Sequence, residues 1–263
     1  LSFRRESGAL PFGGGTDLMV RHRGYTGTAT RISGPVLFLD AVPELREIRL
    51  EGIGRASGGA AAANPRGAAA EDGPASVPEG AAGAENSRAG AETTKNGGPG
   101  GQSNQAPLLR IGAAATMTAL LRHPAVPELL RRSVELVAAP ALRNRATLGG
   151  NICNASPAAD TLPPLYVYQA EAVLLSAEGE RIVPLGEFLT GPGTTLLGPS
   201  EILAAVRVPL LEPGRCYYRK VGTRRANALS KLSAAGWARV ESGRVGEFRF
   251  ALGAVAPRVT RLR

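Results

Sequence analysis

The sequence has few of the residues that bind metals or form disulfide frameworks. Its 263 residues include two cysteines and two histidines. Cys153 and Cys216 have no C-x-x-C spacing and are too few for a disulfide framework. His22 and His123 stand alone in the sequence. We therefore expect no iron-sulfur, zinc or haem site from this chain's own residues, and we interpret these side chains as packed thiols and surface imidazoles.

Long apolar runs are also missing. No stretch of about 18 consecutive apolar residues is present, which a membrane-spanning helix requires, and the start of the chain has no signal-peptide pattern. The sequence opens at Leu1 without a methionine, so its first residue can lie inside a longer gene product. We expect a cytoplasmic protein with no membrane partner.

Core-forming residues are almost absent from residues 54–106. This segment contains no Leu, Ile, Phe, Tyr or Trp, and 27 of its 53 residues are Ala or Gly. Val77 alone cannot seed a core, so ordering the segment would cost conformational entropy without burial to offset it. We predict a disordered low-complexity insertion at the tip of a hairpin, where added length costs little.

Positive charge exceeds negative charge, with a net charge of +9. The insertion has four basic and five acidic residues, so the rest of the chain carries +10. A basic surface can bind nucleic-acid phosphates, but most arginines here are scattered singly. We therefore expect no nucleic-acid partner and interpret the charge as a solvated surface or as a face for a partner subunit.

Outside the insertion, short strands and short helices are predicted in separate runs, as in an α+β fold. Apolar spacing and a Thr116 N-cap predict helices at 117–122, at 126–137 and from 162 onward. Residues 43–50 are interpreted as a half-buried strand or as a turn leading into one. Further strands are predicted at 35–40, 108–112, 172–176, 181–185, 202–208, 217–221, 233–240 and 247–253. The residue pattern changes near residue 212, where longer strands begin, and this change predicts a second domain over 212–263.

Two glycine-rich stretches have the composition of a phosphate site. The first is Gly13-Gly14-Gly15-Thr16-Asp17, and the second is Thr147-Leu148-Gly149-Gly150-Asn151, followed by Asn154 and Asp160. Glycine permits the close approach and positive φ angles that let backbone N–H groups surround a diphosphate. Thr16, Thr147 and Asn151 would add side-chain donors, and Asp160 suits a ribose hydroxyl or an adenine edge.

A plainer interpretation of each stretch is a tight turn, or a glycine pair that permits close packing. Neither stretch matches the Rossmann fingerprint or the P-loop. Two such stretches in one chain nevertheless favour a nucleotide site.

The same motifs resemble a known family. The segments at 13–18, 143–152, 155–160 and 191–195 are similar to those of the FAD-binding medium subunits of the molybdenum hydroxylases, or molybdopterin dehydrogenases. That group includes xanthine dehydrogenase, carbon monoxide dehydrogenase and nicotinate or aldehyde dehydrogenase relatives. Residues 219–228 are most similar to xanthine (purine) dehydrogenase flavoproteins. The resemblance covers nearly the whole chain apart from 54–106.

The resemblance implies a fold in two parts. Residues 1–211 would form a two-subdomain FAD-binding domain of the vanillyl-alcohol-oxidase (PCMH) type. Residues 212–263 would form a truncated α+β C-terminal domain of the carbon monoxide dehydrogenase flavoprotein type. Both ends would be truncated, without the helix and strand that precede the first glycine stretch in the family.

It also implies which residues contact FAD. The two glycine stretches would bracket the pyrophosphate, with Asp160 on the adenosine portion, Leu196 and Leu197 near the flavin, and Lys220 close to the isoalloxazine. The full set of expected cofactor-binding residues is Gly13, Gly14, Gly15, Thr16, Asp17, Thr147, Gly149, Gly150, Asn151, Asn154, Asp160, Leu196, Leu197 and Lys220. No catalytic residue and no metal site are expected in this chain.

The implied function is electron transfer in a heteromeric oxidoreductase. Electrons would come from [2Fe-2S] clusters in a small iron-sulfur subunit and pass through FAD to NAD, with oxygen as the second choice of acceptor. A large molybdopterin subunit would oxidise the substrate, with xanthine or another purine favoured. Two alternatives stay open. One is a stand-alone flavin oxidase of the same fold, in which Cys153 would be the candidate for a covalent bond to the flavin. The other is a basic binding module without a redox cofactor.

Overall fold

The computed structural model describes residues 1–16, 34–52, 107–224 and 227–262. Asp17 and the predicted insertion at 54–106 lie outside the described residues. The described elements, in chain order, are α1 (Ser2–Ser7), β1 (Leu10–Phe12), β2 (Val36–Phe38), two 3₁₀ turns (Leu39–Ala41 and Pro43–Arg46), β3 (Ile48–Glu51), β4 (Leu108–Gly112), α2 (Met117–Arg122), α3 (Glu128–Glu135), α4 (Pro140–Arg143), α5 (Leu148–Cys153), α6 (Leu162–Val167), β5 (Glu171–Ser176), β6 (Gly179–Pro184), α7 (Leu185–Phe188), β7 (Leu189–Gly191), β8 (Thr194–Thr195), β9 (Ile202–Pro209), β10 (Arg215–Gly222), β11 (Ser230–Glu241), β12 (Arg244–Gly253) and β13 (Thr260–Leu262).

The larger sheet has five antiparallel strands in the order β3-β4-β9-β5-β6. Its central strand is β9, in which the run 202–206 is buried throughout. A continuous apolar run of this kind is what a strand covered on both faces requires. Two smaller pairings complete this part of the chain: β1 pairs with β2 in parallel, and β7 pairs with β8 as a short hairpin.

The second sheet has four antiparallel strands in the order β10-β11-β12-β13. Exposed and half-buried residues alternate along β10, the two-residue period of a strand with one covered face. Trp237 of β11 and Ala251 of β12 are buried on the covered face. Helices α3 and α6 pack against this sheet, and α5 packs against β9 of the larger sheet.

One hydrophobic core joins the helices to both sheets. It contains Ile111 and Val206 from the larger sheet, Leu130 and Leu165 from the helices, and Trp237 from the smaller sheet. The smaller sheet begins at Arg215, close to the predicted boundary at 212, but it shares this core with the preceding residues. The division into domains at 212 therefore stays a prediction.

Most predicted elements are confirmed, and the start of the chain is the main exception. Residues 43–46 form a 3₁₀ turn that leads into β3, the second of the two options for 43–50. The expectation that no helix and strand precede the first glycine stretch is wrong, because α1 and β1 stand there. Helix α1 has six residues and ends at Gly8 with φ of 64°, so it is too short to show helical periodicity.

None of the helices in the described ranges is long and apolar enough to cross a membrane. The longest of them, α3, has eight residues.

Candidate functional site

The two glycine stretches meet in the folded chain. Gly14 has φ of 65°, and a Cβ added there would lie 2.0 Å from the carbonyl oxygen of Arg145. A Cβ added at Gly13 would lie 3.7 Å from Thr147 Oγ1, and one added at Gly150 would lie 3.7 Å from the Gly13 oxygen. The absence of side chains at these positions therefore lets two distant parts of the sequence form one surface.

The second glycine stretch forms the beginning of a helix, where the sequence predicted a loop. Thr147 is the N-cap of α5, and its hydroxyl accepts a 3.1 Å hydrogen bond from Gly150 N. A Cβ added at Gly149 would lie 2.6 Å from the Ala113 Cβ. The plainer interpretation, close packing, thus holds for Gly149.

Six backbone N–H groups in the two stretches are bonded within the chain and are not available to a diphosphate. Their bonds are Gly14 N to the Asp40 carboxylate, Gly15 N to Gly13 O, Leu148 N to Ala115 O, Gly149 N to Ala113 O, Gly150 N to Thr147 Oγ1 and Asn151 N to Thr147 O. These six bonds therefore leave the binding of a ligand at this surface to side chains and to the other backbone donors.

Two side chains are suited to that task. The Thr147 hydroxyl accepts from Gly150 N and keeps its own hydrogen for donation. The Asn151 Oδ1 accepts from Thr161 Oγ1 at 2.5 Å, which leaves Nδ2 as the donor of this side chain. Neutral hydroxyl and amide donors suit a diphosphate, so the residues present fit the FAD pyrophosphate. Thr16 is half-buried in the first stretch, and Asn154 lies at the C-terminal cap of α5.

Asp40 holds the first stretch in place, a role that the sequence interpretation missed. Each of its carboxylate oxygens accepts from Gly14 N at 3.1 Å, and Arg145 Nη2 lies 3.7 Å from Oδ2. The sequence feature that could have indicated this role is a carboxylate directly after the apolar run that contains β2. Asp40 thus connects both stretches, because Arg145 lies two residues before the second.

Asp160 and Lys220 form an ion pair, with Lys220 Nζ 2.6 Å from Asp160 Oδ2. Ser230 Oγ donates to Oδ1 at 2.5 Å, and Tyr218 OH donates to the Asp160 carbonyl oxygen at 3.1 Å. Burial, reinforced by the Asp160 charge, raises the pKa of Tyr218, so its hydroxyl is a donor at neutral pH. The structure therefore unites two residues that were expected at different ends of FAD. Ser230 and Tyr218 were missed as their partners.

Leu196 and Leu197 lie in a segment held by Arg181. This side chain donates to the Leu196 carbonyl at 3.1 Å and forms two bonds to the Glu201 carboxylate, at 2.5 and 2.8 Å. The hydrogen bond from Arg181 lowers the pKa of Glu201. Leu196 is exposed, whereas Leu197 packs against the main core. The contacts of this segment are separate from those of the glycine stretches.

Cys153 ends α5, close to Arg4. Burial raises the pKa of its thiol to about 12, and the Arg4 charge offsets a part of that rise. Such a thiol is protonated at neutral pH and is a poor nucleophile. Among the described residues, no group of three or more His, Cys, Asp or Glu side chains is placed to hold a metal ion.

Residues 102–211 match the family described as the FAD binding domain in molybdopterin dehydrogenase. The chain is 37% identical over 158 residues to the xanthine dehydrogenase FAD-binding subunit of Escherichia coli O157:H7, covering 57% of this chain and 53% of that one. It is 31% identical over 154 residues to the carbon monoxide dehydrogenase medium chain of Hydrogenophaga pseudoflava, covering 57% and 54%. The chain thus spans about half the length of these curated relatives.

Solved structures share the fold over nearly the whole chain. A carbon monoxide dehydrogenase from Hydrogenophaga pseudoflava gives a TM-score of 0.72 at 24% identity, covering 99% of this chain and 72% of that one. Quinoline 2-oxidoreductase from Pseudomonas putida 86 gives 0.69 at 21% identity, covering 99% and 71%. These matches confirm the predicted α+β fold of the carbon monoxide dehydrogenase flavoprotein type. Residues 102–211 are therefore similar to the FAD-binding domain of the molybdopterin dehydrogenases.

Proposed function

We propose that this chain is the flavoprotein subunit of a multi-subunit molybdenum hydroxylase. It would bind FAD at the surface formed by the two glycine stretches and transfer electrons from iron-sulfur clusters in a partner subunit to NAD or oxygen. A third subunit would carry the molybdenum-pterin cofactor and oxidise the organic substrate. The observation that supports this proposal is the meeting of Gly14 with Arg145, because it goes together with a Thr147 hydroxyl that lies close to Gly13 in the first stretch.

Bound FAD supplies the exchange between one-electron centres and a two-electron acceptor. The chain's residues retain and orient it. Thr147 and Asn151 would donate hydrogen bonds to phosphate oxygens, and Lys220, paired with Asp160, would lie close to the flavin. Leu197 contributes apolar surface. The substrate reaction itself takes place on another chain.

Xanthine or a related purine is the proposed substrate of the complex, and NAD is the proposed acceptor. The support for a purine is the identity of 37% to a xanthine dehydrogenase subunit, against 31% to a carbon monoxide dehydrogenase chain. The pattern at Arg219 and Lys220, similar to purine dehydrogenase flavoproteins, points the same way. A cytoplasmic location remains part of the proposal.

Purification of the protein tests the flavin directly. We expect a yellow protein with a flavin absorption spectrum that releases FAD on denaturation. A colourless protein that fails to bind added FAD would favour the basic binding module. Flavin that acid cannot release would favour the stand-alone oxidase.

Co-purification from the source organism tests the complex. We expect a small iron-sulfur subunit and a large molybdopterin subunit, identified by mass spectrometry, and xanthine-dependent reduction of NAD. A preparation that oxidises xanthine with oxygen but not with NAD would contradict the proposed acceptor. A preparation of this chain alone that oxidises an organic substrate would contradict the subunit role.

A further inference from the structure

Thr161 uses its hydroxyl in an unusual way for its position. It is the N-cap residue of α6, where a threonine side chain ordinarily accepts a hydrogen bond from a backbone N–H of its own helix. Here the Thr161 side chain makes no capping bond. Its hydroxyl donates instead to Asn151 Oδ1 at 2.5 Å, across ten residues of sequence. The residue is completely buried.

This bond determines which end of the Asn151 side chain is available to a ligand. The amide group has an acceptor oxygen on one side and a donor nitrogen on the other. Because the Thr161 hydroxyl occupies Oδ1, Nδ2 remains as the donor. Without that hydroxyl the amide could rotate and turn its oxygen toward an anion, which would repel it.

The segment that carries Thr161 is fixed on both sides. The preceding residue, Asp160, is bonded to Lys220, Ser230 and Tyr218 of the four-stranded sheet. On the other side, the Thr161 carbonyl accepts from Leu165 N in α6. The Thr161 hydroxyl therefore stays in one place and can fix the orientation of another side chain.

We propose that Thr161 is a positioning residue for the cofactor diphosphate, acting through Asn151. The inference rests on the proposed function, because it requires that Asn151 donates to the diphosphate. Thr161 does not itself touch the ligand. It keeps Asn151 in the orientation that binds a diphosphate oxygen.

The primary test uses the isosteric Thr161→Val substitution, which removes the hydroxyl and keeps the volume. FAD affinity of the full-length apoprotein is measured by quenching of flavin fluorescence, and melting temperature is measured in parallel. We expect the FAD dissociation constant to rise about tenfold, the scale of one hydrogen bond to a charged group. Thr161→Ser, which keeps the hydroxyl, should bind FAD within about twofold of the wild type. Unchanged affinity in Thr161→Val would overturn the inference.

A matched control is available in a second threonine–asparagine pair. Thr118 Oγ1 donates to Asn144 Oδ1 at 2.7 Å on the exposed surface. Thr118→Val removes the same kind of bond from an asparagine other than Asn151, and we expect unchanged FAD affinity. An equal loss of affinity in this control would overturn the specific role of Thr161.

A double-mutant cycle tests whether the effect passes through Asn151. In an Asn151→Ala background, Thr161→Val should cause no further loss of FAD affinity. A full additional loss would show that Thr161 acts by another route and would overturn the proposal. Thr161→Val should also weaken the binding of ADP, which has a diphosphate. It should leave the binding of riboflavin, which has no phosphate, unchanged.

A further variant keeps the test valid if Thr161→Val does not fold. Asn151→Asp retains an acceptor for the Thr161 hydroxyl and removes the Nδ2 donor, so we expect weaker FAD binding at an unchanged melting temperature. FAD binding equal to that of the wild type would contradict the inference. If the wild-type apoprotein itself fails to bind FAD, the proposed function fails, an outcome distinct from failure of the Thr161 role.

Discussion

Lys220 of β10 and Asp160, which precedes α6, form an ion pair in which each side chain retains 9% of its exposure. The two charged groups have different additional hydrogen-bond partners. Asp160 also accepts from Ser230, and Lys220 also donates to the Leu136 carbonyl at 3.0 Å. Removing one member of a buried pair leaves the other charge uncompensated, which costs more than the pair contributes.

We predict that Asp160→Asn destabilises the protein more than Lys220→Met does. In Asp160→Asn the Lys220 ammonium retains a neutral carbonyl partner, and we expect a loss of about 3–5 kcal/mol in the free energy of unfolding. In Lys220→Met the carboxylate keeps Ser230 Oγ as a donor at 2.5 Å and has Tyr218 OH within 3.4 Å, so the loss should be smaller. Urea unfolding at neutral pH measures both.

The exposed pair Glu128–Arg132 is the control for that comparison. Glu128→Gln should cost less than about 1 kcal/mol, as surface ion pairs generally do. A larger loss in Lys220→Met than in Asp160→Asn would contradict the assignment of partners.

The inward face of β10 illustrates what a sequence can predict. Tyr218 and Lys220 are two residues apart, so strand periodicity alone puts them on one face. That their common partner is Asp160 depends on how α6 packs against the four-stranded sheet, which no local pattern encodes. The strands were therefore predictable, but the polar cluster that they form was not.

At the start of α5 the local sequence favours a structure that the fold does not adopt. Glycine is a weak helix former, so Gly149-Gly150 locally favours a loop. Tertiary packing decides otherwise, because Gly149 N donates to Ala113 O at 2.8 Å and leaves no room for a side chain. The Thr147 cap was recognisable as a donor residue, but its use as a helix N-cap was not.

We predict that Gly14→Ala abolishes FAD binding. An alanine would adopt an unfavourable positive φ, and its Cβ would overlap the Arg145 carbonyl oxygen, so the two glycine stretches would separate. Gly8→Ala is a matched control, since Gly8 has nearly the same φ and its added Cβ would meet nothing within 4 Å. It should cost about 1–2 kcal/mol of stability and leave FAD affinity unchanged. Equal FAD affinity in both variants would refute the role assigned to this contact.

Cys153 should be unreactive and unattached to the flavin. Burial raises the thiol pKa to about 12, so little of the side chain is thiolate at pH 8. We expect slow alkylation by iodoacetamide in the folded protein and rapid alkylation after denaturation. We also expect Cys153→Ala to retain acid-releasable FAD. Rapid labelling of Cys153 in the native protein would contradict this prediction.

The Glu201–Arg181 contact should make the Leu196–Leu197 segment sensitive to acid. The pKa of Glu201 is lowered in the folded state. The contribution of the Glu201–Arg181 contact to the free energy of unfolding is therefore complete above the pKa of glutamate in the unfolded chain, about 4.3. That contribution disappears as the pH falls through the lower folded value. The stability difference between wild type and Glu201→Gln should be constant from pH 7 to 5.5 and shrink below about pH 4. Exposed Glu44→Gln is the control, and a difference that grows in acid would contradict the assignment.

Replacing residues 53–106 by a short turn should leave the protein folded and able to bind FAD. Glu51 and Leu108 are paired in register at the ends of β3 and β4, so two to four residues, about the length of an ordinary hairpin loop, can join them. Shortening a long connection also lowers the entropy cost of closing it, so we expect a melting temperature equal to or slightly above that of the full chain. Thermal unfolding and FAD titration of both proteins provide the comparison. A marked fall in melting temperature would mean that the segment contributes to the core, whereas loss of FAD affinity alone would assign it a part in cofactor binding.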